Sequence, residues 1–188
     1  EESDDEDFEE IVWKENLLTR VLYELDQKQE AIELNEKILR ETNNKNLTAL
    51  ANSAFLNFYQ EETKKVNEAK KKLQELQKSA NFKVVKLQAI IEQAYAYRKL
   101  GGCSNLLCAI QLLSSTSDAV PEHEKVKFML GLCYRRCSSS LMMYIDDVSK
   151  VNRKQLAKEA ANRLHELGTT AKDKSIKAAA IAELAFLR

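Results

Sequence analysis

Turn-forming residues are scarce: 188 residues contain four Gly and one Pro. Leu, Ala, Lys, Glu and Gln abound instead, so the composition predicts long helices joined by short connections. No run of alternating β-branched residues competes with helix, which argues against a sheet. The apolar runs are far too short to cross a bilayer, and no signal-peptide pattern opens the chain. No glycine-rich phosphate loop occurs, because Gly101-Gly102 reads as a turn. Only two histidines are present, His123 and His165, and neither has a Cys, Ser or Asp arrangement suited to a nucleophile and base. Both read as surface histidines, and nothing here points to catalysis or a cofactor.

Net charge is zero but unevenly spread. Eight of the first ten residues are acidic, and all 29 Lys and Arg follow them against 21 remaining acids, which leaves the rest of the chain at +8. Residues 1–7 therefore read as a flexible acidic tail on a helical domain over 8–188. The sharper alternative is a tail that folds over a basic surface and competes with an anionic ligand. The chain does not start with Met and its last helical pattern is cut short, so a piece of a longer array is expected.

The organising stretch is Glu92 to Gly102, with the apolar run Leu106 to Leu113 behind it. It predicts a helix that ends at a glycine pair and a second amphipathic helix directly after, which makes a helical hairpin. Looser copies flank it. Asp7 is placed to cap a helix from Phe8 whose apolar positions are Ile11, Leu18, Leu22 and Leu25. Its partner uses Ala31, Leu34 and Ile38, and Asn46 caps the next helix, which shows Leu47, Leu50, Ala51, Ala54, Phe55 and Phe58. Val66, Ala69, Leu73 and Leu76 follow on a further helix. Ser114 to Asp118 reads as a polar loop, and Pro121 suits the first turn of a helix carrying Val126, Met129, Leu130, Cys133 and Cys137. Ser138 to Ser140 should fray that helix, and Leu141 to Ile145 reads equally as helix or apolar loop. The next helix uses Leu156, Ala160, Leu164 and Leu167. Gly168 then reads as a C-terminal cap and Thr170 as the N-cap of a last helix with Ile176, Ala180, Leu184 and Leu187.

First helices recur at a spacing slightly above the 34-residue unit of known helical repeats. One helix pair cannot hide its apolar stripe alone, so neighbours must stack. The residues Asn46 to Ala54, followed by Glu68-Ala69, resemble the A-W-x-N-L-A…E-A pattern of tetratricopeptide repeats, although Ser53 stands where that repeat favours Leu and Asn35 where it favours an aromatic. Glu92 to Ala96, with Glu122 to Lys125 and Phe128, is similar to the middle repeats of the tetratricopeptide repeat protein twenty-two group. Similar helices occur in the interferon-induced proteins with tetratricopeptide repeats. The resemblance covers most of residues 15–188. It implies an all-α, right-handed superhelical solenoid of about nine helices, a cytoplasmic setting, and a concave groove lined by first helices that holds a peptide or partner protein. The interferon-induced branch implies an alternative, a basic tunnel that grips the five-prime ends of RNA.

Two residue sets bear on ligands. Gln93, Tyr97 and Arg98 lie on one first helix and Tyr134, Arg135 and Arg136 on the next, so some of them are expected to face a groove; Arg with Tyr can bind a carboxylate, a phosphate or a stacked base. The plainer alternative has Tyr95 and Tyr134 wedged between repeats and the arginines solvated. Lys64, Lys65, Lys70, Lys71 and Lys72 spread around their helix and read as a solvated surface. The four cysteines, Cys103, Cys108, Cys133 and Cys137, fit packed free thiols better than a disulfide or a zinc site. Free thiols in turn suit a reducing compartment. The last helix has an apolar stripe with no helix after it, so self-association through that end is a further expectation.

Overall fold

The computed structural model describes residues 2–140 and 153–187. Among the described residues the chain is all-helical: α1 (Glu2–Glu24), α2 (Lys28–Glu41), α3 (Leu47–Tyr59), α4 (Thr63–Gln77), α5 (Phe82–Leu100), α6 (Cys103–Ala119), α7 (Glu124–Ser140), α8 (Arg153–Thr170) and α9 (Lys174–Ala185). No described helix is long and apolar enough to cross a membrane. The chain divides into two compact units, Glu1–Glu92 and Gln93–Arg188.

In the first unit α1 packs on α2 and α3, α2 on α3, and α3 on α4. Val12, Ile38 and Ala49 form a buried cluster with Leu34 and Leu39 against it. Val12 and Ile38 each contribute about 1.5–3 kcal/mol by this burial. The inward face of α1 is not the expected leucine stripe. Ile11 and Leu18 are each 46% exposed and Leu25 is 65% exposed, while Val12, Trp13, Asn16 and Thr19 are buried. Two polar side chains thus hold the inward positions, and the helix is rotated to bury them. It can do so because both are satisfied: Thr19 Oγ1 donates to the Glu15 carbonyl at 2.9 Å, and Asn16 joins a network described below. The α3 face shifts in the same way, burying Ala49, Leu50, Asn52, Leu56 and Asn57, and leaving Ala51 and Phe58 exposed. Asn46 caps α3 as expected, its side-chain oxygen accepting the Ala49 N–H at 2.7 Å. Helix α1 starts at Glu2, so Phe8 lies inside it rather than at its first turn.

In the second unit α6 packs on α7, α7 on α8 and α9, and α8 on α9. The expected faces of α7 and α8 hold throughout: Val126, Met129, Leu130, Cys133 and Cys137 are buried, as are Leu156, Ala160, Leu164 and Leu167. Gly101 and Gly102 form the turn before α6 with φ of 70° and 77°, a region only glycine enters without strain. The polar stretch Ser114 to Asp118 is helix rather than loop. Ser115 and Thr116 return their hydroxyls to the Leu112 carbonyl, at 2.9 and 2.8 Å, so α6 absorbs them and runs to Ala119. Pro121 lies in the turn before α7, not in its first turn; His123 Nδ1 accepts the Val126 N–H at 3.4 Å at the helix start. The serines at the end of α7 do not break it, since Ser138 and Ser139 donate to carbonyls three residues back. The stretch Leu141 to Ile145 lies outside the described residues.

Gly168 does not cap α8. The helix continues through it to Thr170, and a β-carbon at that position would meet Ile181 Cγ1 at 3.1 Å, so this glycine lets α9 approach. Asp173, not Thr170, caps α9, accepting the Ser175 and Ile176 N–H groups at 2.7 and 3.2 Å. The Ser175 hydroxyl, which donates to it at 2.6 Å, and then those backbone N–H groups hold its carboxyl below the ordinary range. Glu124 at the start of α7 accepts the Lys172 and Asp173 N–H groups at 2.8 and 3.0 Å and so ties the α8–α9 turn to α7. Replacing Asp173 with Ala is expected to cost about 1 kcal/mol, read as a lower urea midpoint at neutral pH. An unchanged midpoint would show that Glu124 alone organises the turn.

Candidate binding surfaces

Successive residues on a helix point about 100° apart, so Tyr134, Arg135 and Arg136 cannot share a direction. The Tyr134 ring lies 5.4 Å below the guanidinium of Arg163 on α8. Arg135 is ion-paired with Glu183 on α9, and its guanidinium stands 5.8 Å from the Phe186 ring. Both therefore serve the packing of α7 against its neighbours. The charges of Arg98 and Arg136 both pull the Cys133 thiol downward. Burial nonetheless dominates and pushes the Cys133 thiol up to about 11. Arg98 and Lys99 sit over the buried Tyr95 ring at 5.2 and 5.3 Å. Gln93 is exposed and Tyr97 half-buried on the same helix. Of the six expected ligand residues, the fold assigns Tyr134 and Arg135 to interhelix contacts and places Arg98 over the Tyr95 ring of its own helix.

Sequence reasoning missed a surface in the first unit. Tyr23 of α1 and Phe55, Phe58 and Tyr59 of α3 form a continuous aromatic cluster, with ring centroids 4.7 to 5.9 Å apart. Arg20 stacks on Phe55 at 3.8 Å, a favourable cation–π arrangement. Phe58 and Tyr59 are 66% and 60% exposed. They form one wall of a cleft of about 520 Å³ whose opposite side is Thr63, Val66, Asn67 and Lys70 of α4. The signal was present as Phe55-x-x-Phe58-Tyr59, but a 3.6-residue period assigns Phe55 and Phe58 to the core face as readily as to a surface.

Also missed was a buried polar network joining α1, α3 and the first-unit part of α5. Glu92 is 3% exposed. Asn16 Nδ2 donates to its Oε1 at 2.6 Å, and Asn46 Nδ2 to its Oε2 at 3.4 Å. Asn16 also donates to Asn46 Oδ1 at 3.2 Å, and Asn52 Nδ2 donates to Asn16 Oδ1 at 3.4 Å. Burial pushes the Glu92 carboxyl up to about 7, against the opposing pull of hydrogen bonds from Thr48, Asn16 and Asn46. One turn away, Gln88 joins Glu9, Trp13, Lys45 and Asn46 around a cleft of about 320 Å³. Glu92 is enclosed by its donors and is not itself presented to a ligand.

The lysines of α4 are exposed; Lys72 donates to Asn44 Oδ1 at 2.9 Å. All four cysteines are free thiols, with Cys133 and Cys137 buried, Cys108 exposed and Cys103 between these extremes. Among the described residues no group of three or more His, Cys, Asp or Glu is placed to hold a metal ion. No protein-family model, curated protein or solved structure matches the chain.

Proposed function

We propose that the chain is a non-catalytic interaction module of tetratricopeptide-repeat type that binds a peptide or partner protein. In this reading the pairs α1–α2 and α3–α4 stack as repeats within the first unit, and α7–α8 with α9 does so in the second. The pattern that supports it is the order of contacts: α1 to α4 in the first unit and α6 to α9 in the second each meet their chain neighbours, and the first helix of a pair also meets the first helix of the next, as α1 meets α3 and α7 meets α9. The observation that carries the binding role is the exposed aromatic cluster on α3. Aromatic side chains contribute large contact area with little rotamer freedom to lose, and a patch of them rimmed by polar groups marks a docking surface. Its rim includes Glu61, Thr63, Asn67 and Lys70, which suits a partner with an apolar anchor and mixed charge. Gln93, Tyr97, Arg98 and Arg136 are proposed as a second contact surface in the other unit, directed at an acidic segment.

Affinity capture from cell extract, with and without nuclease, tests this reading. The double substitution Phe58→Ala and Tyr59→Ala is expected to lower partner capture about 30-fold, as loss of an interface hot spot does. Because both side chains are mostly exposed, the helical signal and melting should hardly change. The pair Tyr97→Ala and Arg98→Ala is expected to weaken capture of acidic partners specifically. Capture that vanishes with nuclease would replace this reading with RNA binding, and a steep fall with added salt would accompany it. Capture unchanged in both double variants would remove both surfaces.

A further inference from the structure

We propose that Cys103 and Cys137 form a peroxide-responsive thiol pair that closes reversibly into an intramolecular disulfide between the start of α6 and the end of α7. Their sulfur atoms stand 3.8 Å apart, side chain to side chain across 34 residues. A disulfide needs about 2.05 Å, so the two groups must approach by less than 2 Å. The chain is built to allow it on one side. Cys103 is the first residue of α6 and directly follows Gly101 and Gly102, both at positive φ and both with open space where a β-carbon would stand. On the other side Cys137 is locked into the α7 face with Cys133, so α6 supplies the movement.

Accessibility sets the order of events. Cys103 is partly exposed and Cys137 is buried, so a small hydroperoxide meets Cys103 first. The Cys103 sulfur attacks one peroxide oxygen, an S–O bond forms, the O–O bond breaks, and the leaving hydroxide takes up a proton to become water. The Cys137 sulfur then attacks the Cys103 sulfenic acid. An S–S bond forms, the S–O bond breaks, and hydroxide leaves with the Cys137 proton as a second water. Two thiols are oxidised to one disulfide while hydrogen peroxide is reduced to two waters. Burial holds the Cys137 thiol above the ordinary range, with the Cys103 and Cys133 sulfurs adding to the effect. The remaining barrier is offset by proximity, since the attacking sulfur is already beside its target. A dithiol reverses the bond by exchange.

The test treats the full chain with hydrogen peroxide, alkylates remaining thiols under denaturing conditions, and maps the peptides by mass spectrometry. Cys108→Ser serves as the background, so that the exposed thiol cannot cross-link two molecules. A Cys103–Cys137 linked peptide that forms in the native protein and disappears with dithiothreitol supports the pair. In that background, Cys137→Ser should leave Cys103 as a sulfenic acid captured by dimedone, and Cys103→Ser should slow oxidation of Cys137 at least about 10-fold. A map in which Cys103 pairs with Cys133, or in which both Cys103 and Cys137 are still alkylated after oxidation, would overturn the proposal. The map of the Cys108→Ser protein decides this even if a core variant fails to fold.

Discussion

Glu92→Gln is expected to stabilise the protein by about 1–3 kcal/mol at pH 8 and to change little at pH 4.5. The folded carboxyl titrates near 7 because burial penalises its charge, whereas an unfolded glutamate titrates near 4.5. Between those values the folded chain keeps the proton and the unfolded chain releases it. Rising pH therefore favours unfolding, and the stability present below pH 4.5 is lost as pH passes through 7. The whole penalty is about 3 kcal/mol for a shift of this size. Gln avoids it, being neutral throughout, and its oxygen can still accept from Asn16. Its amide nitrogen, however, faces the Asn46 Nδ2 donor 3.4 Å away in the native chain, so part of the gain is lost. Urea midpoints of both proteins across pH 4.5 to 8 check this, read as a difference because Glu124 and Asp173 titrate in the opposite sense. A Gln variant less stable than the native chain at pH 8 would mean that the hydrogen bonds outweigh desolvation and that the folded carboxyl is not raised above its unfolded value.

Leu164→Ala carries the second large effect, a loss of about 3–4 kcal/mol. Leu164 is fully buried between α7, α8 and α9, among Leu167, Ala171, Ile176 and Ala180, with Phe128, Leu184 and Leu187 closing around it. Its partner in this contact is Gly131. A β-carbon there would stand 3.0 Å from Leu164 Cδ2 and 3.1 Å from its Cγ, tight enough that the fully buried Leu164 would have to give by a few tenths of an ångström. Gly131→Ala alone should therefore cost about 1 kcal/mol, the clash outweighing the usual helix gain of similar size. Alanine at 164 has neither clashing atom. In that background Gly131→Ala should become neutral or stabilising, partly filling the cavity. The double variant should thus be more stable than the two single losses predict by more than about 1 kcal/mol. Additive losses in urea unfolding would mean that Gly131 and Leu164 do not meet.

Helices, their order and the α7–α8 core were legible because Val126 to Cys137 and Leu156 to Leu167 place apolar residues at unbroken helical spacing. The α1 face was not legible for a specific reason. Leu18, Leu22 and Leu25 offer a better apolar stripe than Val12, Asn16 and Thr19, and only partners 30 to 76 residues away make the polar face worth burying. The same limit hid Glu92 as the centre of a network, since no local pattern marks a carboxylate whose donors lie on two other helices. Ser115, Thr116 and Gly168 were misread as breakers because each has a helical use: hydroxyls that return to the preceding turn, and a bare α-carbon where another helix comes close. Among the expected ligand residues, sequence placed Arg135 within a helix, as α7 shows. It could not foresee Glu183, which claims that guanidinium from a helix 48 residues on.

The bond from Asn16 to Glu92 spans 76 positions, and this has a consequence for how the first unit assembles. Local helix pairing can begin early, but Asn16 and Asn46 find their carboxylate acceptor only after the chain has been made as far as α5. The amide set should therefore be a late step in folding, with a correspondingly high sensitivity of the unfolding rate, rather than the folding rate, to changes at Asn16. Any excised fragment that stops at the end of α4 would strand those amides without their carboxylate. A workable cut for this half of the molecule lies beyond the middle of α5, and not in the loop that precedes it.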